Sequence, residues 1–178
     1  MLRRLLLLVG LLLLVFAAGG VVVARGEPSL STDGPTSVTG TDASATFQIA
    51  ERTIRQVRYA EAGTLRYTFR VTNDGRLPVS VLGLDDDQAD PRLFTLLDLT
   101  PRDIGPGESA DLTLAMTMTG CESLSSRAGS FVTAIEVRTL RAGLFEDVVR
   151  LTLPEEVHTG SPREAFCPNS TATSRPPG

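Results

Sequence analysis

The sequence predicts an all-β domain, a two-sheet antiparallel sandwich of about seven or eight strands. Three observations predict it. Short segments alternate apolar and polar residues with period two, which gives each a face suited to a dry core and a face suited to water. Gly, Pro, Asn and Asp cluster between those segments, where turns are needed. No stretch after the N-terminal run sustains a helical period, although 90–97 has room for one helical turn.

The elements follow in order. Arg3 and Arg4 precede an uncharged apolar run from Leu5 to Ala24. At about 1.5 Å per residue this run matches the roughly 30 Å hydrocarbon core of a bilayer. Only Arg25 follows it, with Glu27 close behind. The positive-inside bias puts the N-terminus in the cytoplasm and the rest outside. A signal anchor is the leading reading. A cleaved signal peptide is the alternative, because Leu5 to Phe16 followed by Ala17-Ala18-Gly19-Gly20 also fits that pattern. Cleavage there would leave Val21-Val22-Val23 at an exposed terminus. The location expected is the cell membrane, single-pass, with the C-terminal domain outside the cytoplasm; secretion after cleavage is the alternative.

Residues 26–43, rich in Gly, Pro, Ser, Thr and Asp, read as a flexible linker. The sandwich is expected over 44–167. Its clearest strand is Thr64 to Asn73, with Leu65, Tyr67, Phe69 and Val71 on one face. Asn73-Asp74-Gly75 turns the chain, and Leu77 to Leu84 returns as the next strand, with Pro78 at its start. Leu112, Leu114, Met116 and Met118 mark a second apolar face. Phe131 to Thr139 and Leu144 to Leu153 flank an Arg141-Ala142-Gly143 turn. Weaker strands are expected at 46–50, 53–58 and 93–99. The pattern fades from Pro154, and 168–178 reads as a disordered tail.

Composition excludes some functions. The chain has 17 basic residues, all of them Arg, and 21 acidic ones. Arg3, Arg4 and Arg25 flank the apolar run, which leaves 14 basic against 21 acidic residues in the outer part. Nucleic acid is therefore not an expected partner, since it needs a basic face. Cys121 and Cys167 form an even pair. Outside the cytoplasm they are expected to join as a disulfide that staples the C-terminal segment and contributes a few kcal/mol.

Chemistry-bearing residues are few. Asp85, Asp86, Asp87 and Asp90 follow a strand and could offer hard oxygen ligands to Ca²⁺, but their spacing is not that of an EF-hand. A solvated acidic loop is the simpler reading. Met116, Met118, Cys121 and His158 hold donors that suit Cu(I). The two Met share a face with Leu112 and Leu114, which makes them core residues. His158 is the single His and is expected in a polar tail segment. No Gly-x-Ser-x-Gly elbow or phosphate loop is present, and a single His in an expected loop argues against a catalytic triad although Ser and acids are plentiful. Glu155-Glu156 and Glu146-Asp147 are neighbours, which point to opposite faces of a strand. No cofactor is expected.

Two motifs carry a resemblance. Phe69, Val71, Asn73 and Gly75 form an F-x-V-x-N-x-G strand end, and Ile104, Pro106, Gly107, Glu108 and Ser109 an I-x-P-G-E-S turn. Over about residues 44–153 the chain resembles bacterial surface Ig-like domains, and its layout is similar to that of small membrane-tethered actinobacterial proteins. The resemblance implies an Ig-like β-sandwich in which Asn-x-Gly closes a hairpin and Pro-Gly-Glu opens the following strand. It implies no catalytic residues. The antibody-type Cys–Trp–Cys core is absent.

The function expected is that of a non-enzymatic, envelope-exposed, membrane-tethered module for protein–protein interaction or an accessory subunit. Its partners would be the membrane, through the N-terminal helix, and an envelope protein. The loops 85–92 and 122–129 are the expected binding loops. The alternative is an extracellular Ca²⁺, Cu or small-ligand binding protein.

Overall fold

The computed structural model describes residues 9–11, 27–120 and 129–160. Of the N-terminal run, only Val9–Leu11 fall among them, and these are helical. Among the described residues no helix is long and apolar enough to cross a membrane. Cys121, Cys167, most of the 122–129 loop and the 168–178 tail lie outside the described residues.

The described residues form ten strands: β1 (Leu30–Thr39), β2 (Ser44–Ile49), β3 (Arg52–Val57), β4 (Thr64–Asn73), β5 (Val79–Leu84), β6 (Phe94–Leu99), β7 (Arg102–Ile104), β8 (Ser109–Met118), β9 (Ser130–Arg141) and β10 (Phe145–Thr159). One sheet has four strands in the order β1-β4-β8-β6; the other has six, in the order β2-β3-β10-β9-β5-β7. The chain is all-β in two sheets, as the alternating segments predict. Strand number and pairing differ from expectation. There are ten strands instead of seven or eight, and β3 pairs with β10 in parallel, so the arrangement is not wholly antiparallel.

The core lies between the sheets. Leu65, Tyr67, Phe69 and Val71 of β4 and Leu112, Leu114, Met116 and Met118 of β8 are fully buried. Val132, Ile135 and Val137 of β9 and Leu151, Leu153 and Val157 of β10 face them from the other sheet. β4 and β8 pair in unbroken register from Thr64↔Thr117 to Thr72↔Ser109. These are the strands with the cleanest alternation, because they are central and covered on one face along their whole length.

Three expectations change. The segment read as a linker, 26–43, contains β1, which pairs with β4 on both sides of an irregularity between Asp33 and Ser37. Its half-buried positions include Leu30, Thr32, Thr36 and Val38. Two of these are Thr, so main-chain pairing marks this edge strand more than hydrophobicity does. Next, β10 does not end at Pro154 but runs on to Thr159. Pro154 falls within a register shift between Thr152 and Val157, where a missing N–H breaks no ladder bond. Finally, Asn73-Asp74-Gly75 does not close a hairpin. β4 and β5 lie in different sheets, and this turn carries the chain across the core.

That crossing explains why the two motifs occur together. The buried Asn73 side chain donates from Nδ2 to the Leu77 carbonyl at 2.8 Å and the Ile104 carbonyl at 3.0 Å. Its Oδ1 accepts from Gly75 N–H at 2.9 Å. Its main chain joins the Pro-Gly-Glu turn, with Asn73 N–H donating to Glu108 O at 3.0 Å and Gly107 N–H to Asn73 O at 2.8 Å. Gly107 has φ +73°, a conformation that costs glycine little. One residue, through its side chain and main chain, thus ties two turns and β7 together at one end of the sandwich.

Asn73→Ala would strand two carbonyls and one N–H, and is expected to lower the unfolding free energy by about 2–3 kcal/mol. Urea denaturation of the purified chain measures this; a loss below about 0.5 kcal/mol, the usual size of a surface substitution, would show that the clasp is not stabilising.

Candidate functional site

The acidic loop after β5 is organised by an amide, not by its carboxylates. Gln88 donates from Nε2 to the Asp85 and Glu136 carbonyls, each at 3.2 Å, and accepts Glu136 N–H at 3.0 Å. Asp85 N–H also reaches Glu136 O, at 2.9 Å. This latches the loop to β9. The Asp90 carboxylate accepts Leu96 N–H at 2.9 Å, and Asp86 lies 3.8 Å from Arg138. Asp87 is exposed. Among the described residues, no three His, Cys, Asp or Glu are grouped so that they could hold a metal ion.

The other sequence-level candidates are dispersed. Met116 and Met118 lie in the core with no exposure. His158 is on β10 rather than in a tail, with its ring 6.4 Å from that of Phe131. Glu155 and Glu156 do point apart, and each meets its own Arg. Glu156 faces out and pairs with Arg52 of β3. The hydrogen bond from Arg52 holds its carboxyl below the usual carboxylate range. Glu155 faces in.

Glu155 belongs to a polar cluster at the margin of the core. Arg55 of β3 donates from Nε and Nη2 to its two carboxylate oxygens, at 2.9 and 3.0 Å. Arg55 Nη2 also reaches Thr36 Oγ1 of β1 at 3.0 Å. The side chains of Arg55 and Glu155 are 17% and 9% exposed. Charge-assisted bidentate geometry offsets much of the desolvation of such a pair, but removal of one partner would leave a largely buried charge and cost about 3–5 kcal/mol. The cluster fixes β3 parallel to β10 and joins both to β1 of the other sheet. Tyr67 faces the same region. It is fully buried, and its hydroxyl has no hydrogen-bond partner among the described residues. The Glu155 backbone lies near it but short of hydrogen-bond geometry. Burial, reinforced by the Glu155 charge, pushes the Tyr67 phenol above its usual range.

The surface that sequence reasoning missed lies on the outer face of the six-stranded sheet, around β2 and β3. Phe47 pairs with Ile54, which in turn pairs with Glu156 of β10. Gln56 neighbours His158, and His158 pairs with Phe131 of β9. This places Ile49, Phe47, Ile54 and Phe131 on one face, with Phe47 47%, Ile49 56% and Phe131 55% exposed. The pattern over 46–50 reads as a weak strand. Nothing in that pattern says that the apolar side faces water. The usable signal is a six-residue strand, Ser44–Ile49, with no charge, Pro or Gly. Chemically, this surface can bury apolar area and offer main-chain hydrogen bonds.

No family model matches the chain, and no curated protein is detectably similar to it.

Tyr67→Phe is expected to leave stability at neutral pH within about 1 kcal/mol, since the hydroxyl has no bond to lose. The folded state holds the phenolic proton more tightly than the unfolded chain does. Its contribution is therefore full below a pH of about 10 and declines as pH rises above it. Tyr67→Phe should flatten that decline. Urea unfolding of both proteins at neutral and alkaline pH tests this, and identical alkaline slopes would contradict it.

Proposed function

We propose that this chain is a non-enzymatic protein-binding module, an Ig-like β-sandwich held at the outer face of a cell membrane by its N-terminal apolar run. In this role it is an accessory subunit of an envelope complex. The observation that carries the reading is the exposed apolar face of β2, β3 and β9, where Phe47, Ile49 and Phe131 each stand about half in water. Phe47 and Ile49 adjoin Ile54, and Phe131 stands across Gln56 and His158 from them on the same face; exposed apolar side chains gathered on one face mark interaction sites in soluble domains. The Arg52–Glu156 pair beside it supplies a polar element.

The strand order supports the Ig-like assignment. The orders β1-β4-β8-β6 and β10-β9-β5 correspond to the ABED and GFC sheets of a constant-type Ig domain. The parallel β3 and its hairpin partner β2 are additions at the β10 side, and β7 adds a short strand beside β5.

A photo-crosslinking amino acid placed at Phe131 in cells that carry the full chain is expected to give discrete adducts with an envelope protein. The same group at Asp111, on the four-stranded sheet, should give none. Equal labelling from both positions, or no adduct from a chain shown to be surface-exposed, would overturn the reading.

A further inference from the structure

The sandwich has four sheet edges, and they are not alike. An exposed edge presents unpaired N–H and C=O groups, and proteins blunt such edges with charge, Pro, bulges or short length. β1 has Asp33, Pro35 and a register break. β6 is broken between Leu96 and Asp98. β7 is three residues long and carries Arg102 and Asp103. β2 has none of these protections. It reads Ser-Ala-Thr-Phe-Gln-Ile, every residue is exposed, and among the described residues it pairs only with β3.

The phase of its hydrogen bonding is set. Arg58 N–H donates to Ala43 O at 3.0 Å, so Ala43 is bonded toward β3. Antiparallel pairs alternate, so Ala45, Phe47 and Ile49 also bond toward β3. The main-chain groups of Ser44, Thr46 and Gln48 are directed outward, with no strand beside them among the described residues.

We propose that β2 pairs edge to edge with β2 of a second copy, antiparallel about a two-fold axis at Thr46, joining the two six-stranded sheets. The inference rests on the preceding reading of this side as an interaction surface and names its occupant. With Thr46 opposite Thr46 of the second copy, Ser44 lies opposite Gln48, and all three outward groups meet their counterparts. On the outer face Phe47 lies beside the small Ala45 of the other copy, large against small. The strand has no charge to repel an identical strand, although the whole chain is net −4. The base of the hairpin is balanced by Asp42 and Arg58, 3.9 Å apart. At the tip Arg52 is engaged by Glu156, so Glu51 leaves that end acidic. An antiparallel two-fold sets the acidic tip of one copy against the balanced base of the other, so like charges do not meet. A net-basic partner would be drawn to the acidic chain as a whole and would find nothing acidic on this strand. The contact is small, below about 1,200 Å² in total, so association is weak and concentration-dependent.

The test is the mass of the full-length chain in mild detergent, by light scattering, from micromolar to near-millimolar protein. The parent should rise from one chain toward two. A Thr46→Lys, Gln48→Lys variant and a Thr46→Glu, Gln48→Glu variant should each stay at one chain, with unchanged circular dichroism. Their mixture should return to two chains, one of each kind. The charge swap separates pairing through β2 from association through the N-terminal run. A parent that stays at one chain, a lysine variant that pairs like the parent, or a mixture that stays apart would overturn the proposal. If the parent stays at one chain while the Phe131 probe still captures a different envelope protein, the protein-binding reading survives and only the second copy falls.

Discussion

The two sheets differ in width, and that mismatch governs what the structure can bury. Four strands face six. Where β4 and β8 lie opposite β9 and β10, apolar side chains are covered from both sides and exposure falls to zero along Leu65, Tyr67, Phe69 and Val71. Burial of this kind supplies roughly 25 cal/mol per Å² of apolar surface. At β1 the four-stranded sheet ends; β3 is covered there only in part, by Thr36 of β1 over Arg55, and among the described residues β2 continues beyond it uncovered. At this boundary the core changes character. Arg55, Glu155 and Thr36 take over from Leu and Val, because a half-covered position can hydrate the outer side of an ion pair while the pair closes the edge of the core. One strand further out, β2 is exposed at every residue.

How much of this could be read in the sequence follows from the same geometry. β4 and β8 were legible because a strand covered on one face alternates cleanly. β1 was not, because an edge strand that contacts the core at Leu30 and Val38 and otherwise turns Thr inward looks like polar linker. Pro154-Glu155-Glu156 read as a stop because its two exceptional positions, a proline at a register shift against β9 and an inward carboxylate whose partner Arg55 lies 100 residues away, are explained only by the neighbouring strands. The Asn-x-Gly and Pro-Gly-Glu motifs were both visible. That one is bonded to the other was not, since their contact crosses the sequence between Asn73 and Gly107. For the site, the sequence suggested a weak strand over 46–50 and nothing about an apolar face turned to water. Which way such a face points depends on where the opposite sheet ends, which is a property of the whole fold.

The charged groups also bear on function. Glu155 has Arg55, Glu156 has Arg52, Asp147 has Arg141, Asp111 has Arg70, and Asp86 lies near Arg138. The pairs bind strand to strand or loop to strand. They hold architecture and do not converge on one cleft. On the β2 side the domain presents exposed apolar side chains together with an unprotected strand edge.

Amide hydrogen exchange along β2, followed as the full-length chain is concentrated, tests the central claim most directly. The account predicts that Ala45, Phe47 and Ile49 are protected at every concentration, because their N–H groups bond to β3. Ser44, Thr46 and Gln48 should exchange fast when the chain is dilute and become protected as it is concentrated. Protection of all six amides in the dilute chain would mean that the edge is already covered, and rapid exchange of Ser44, Thr46 and Gln48 at every concentration would mean that no strand joins it; either result would contradict the account.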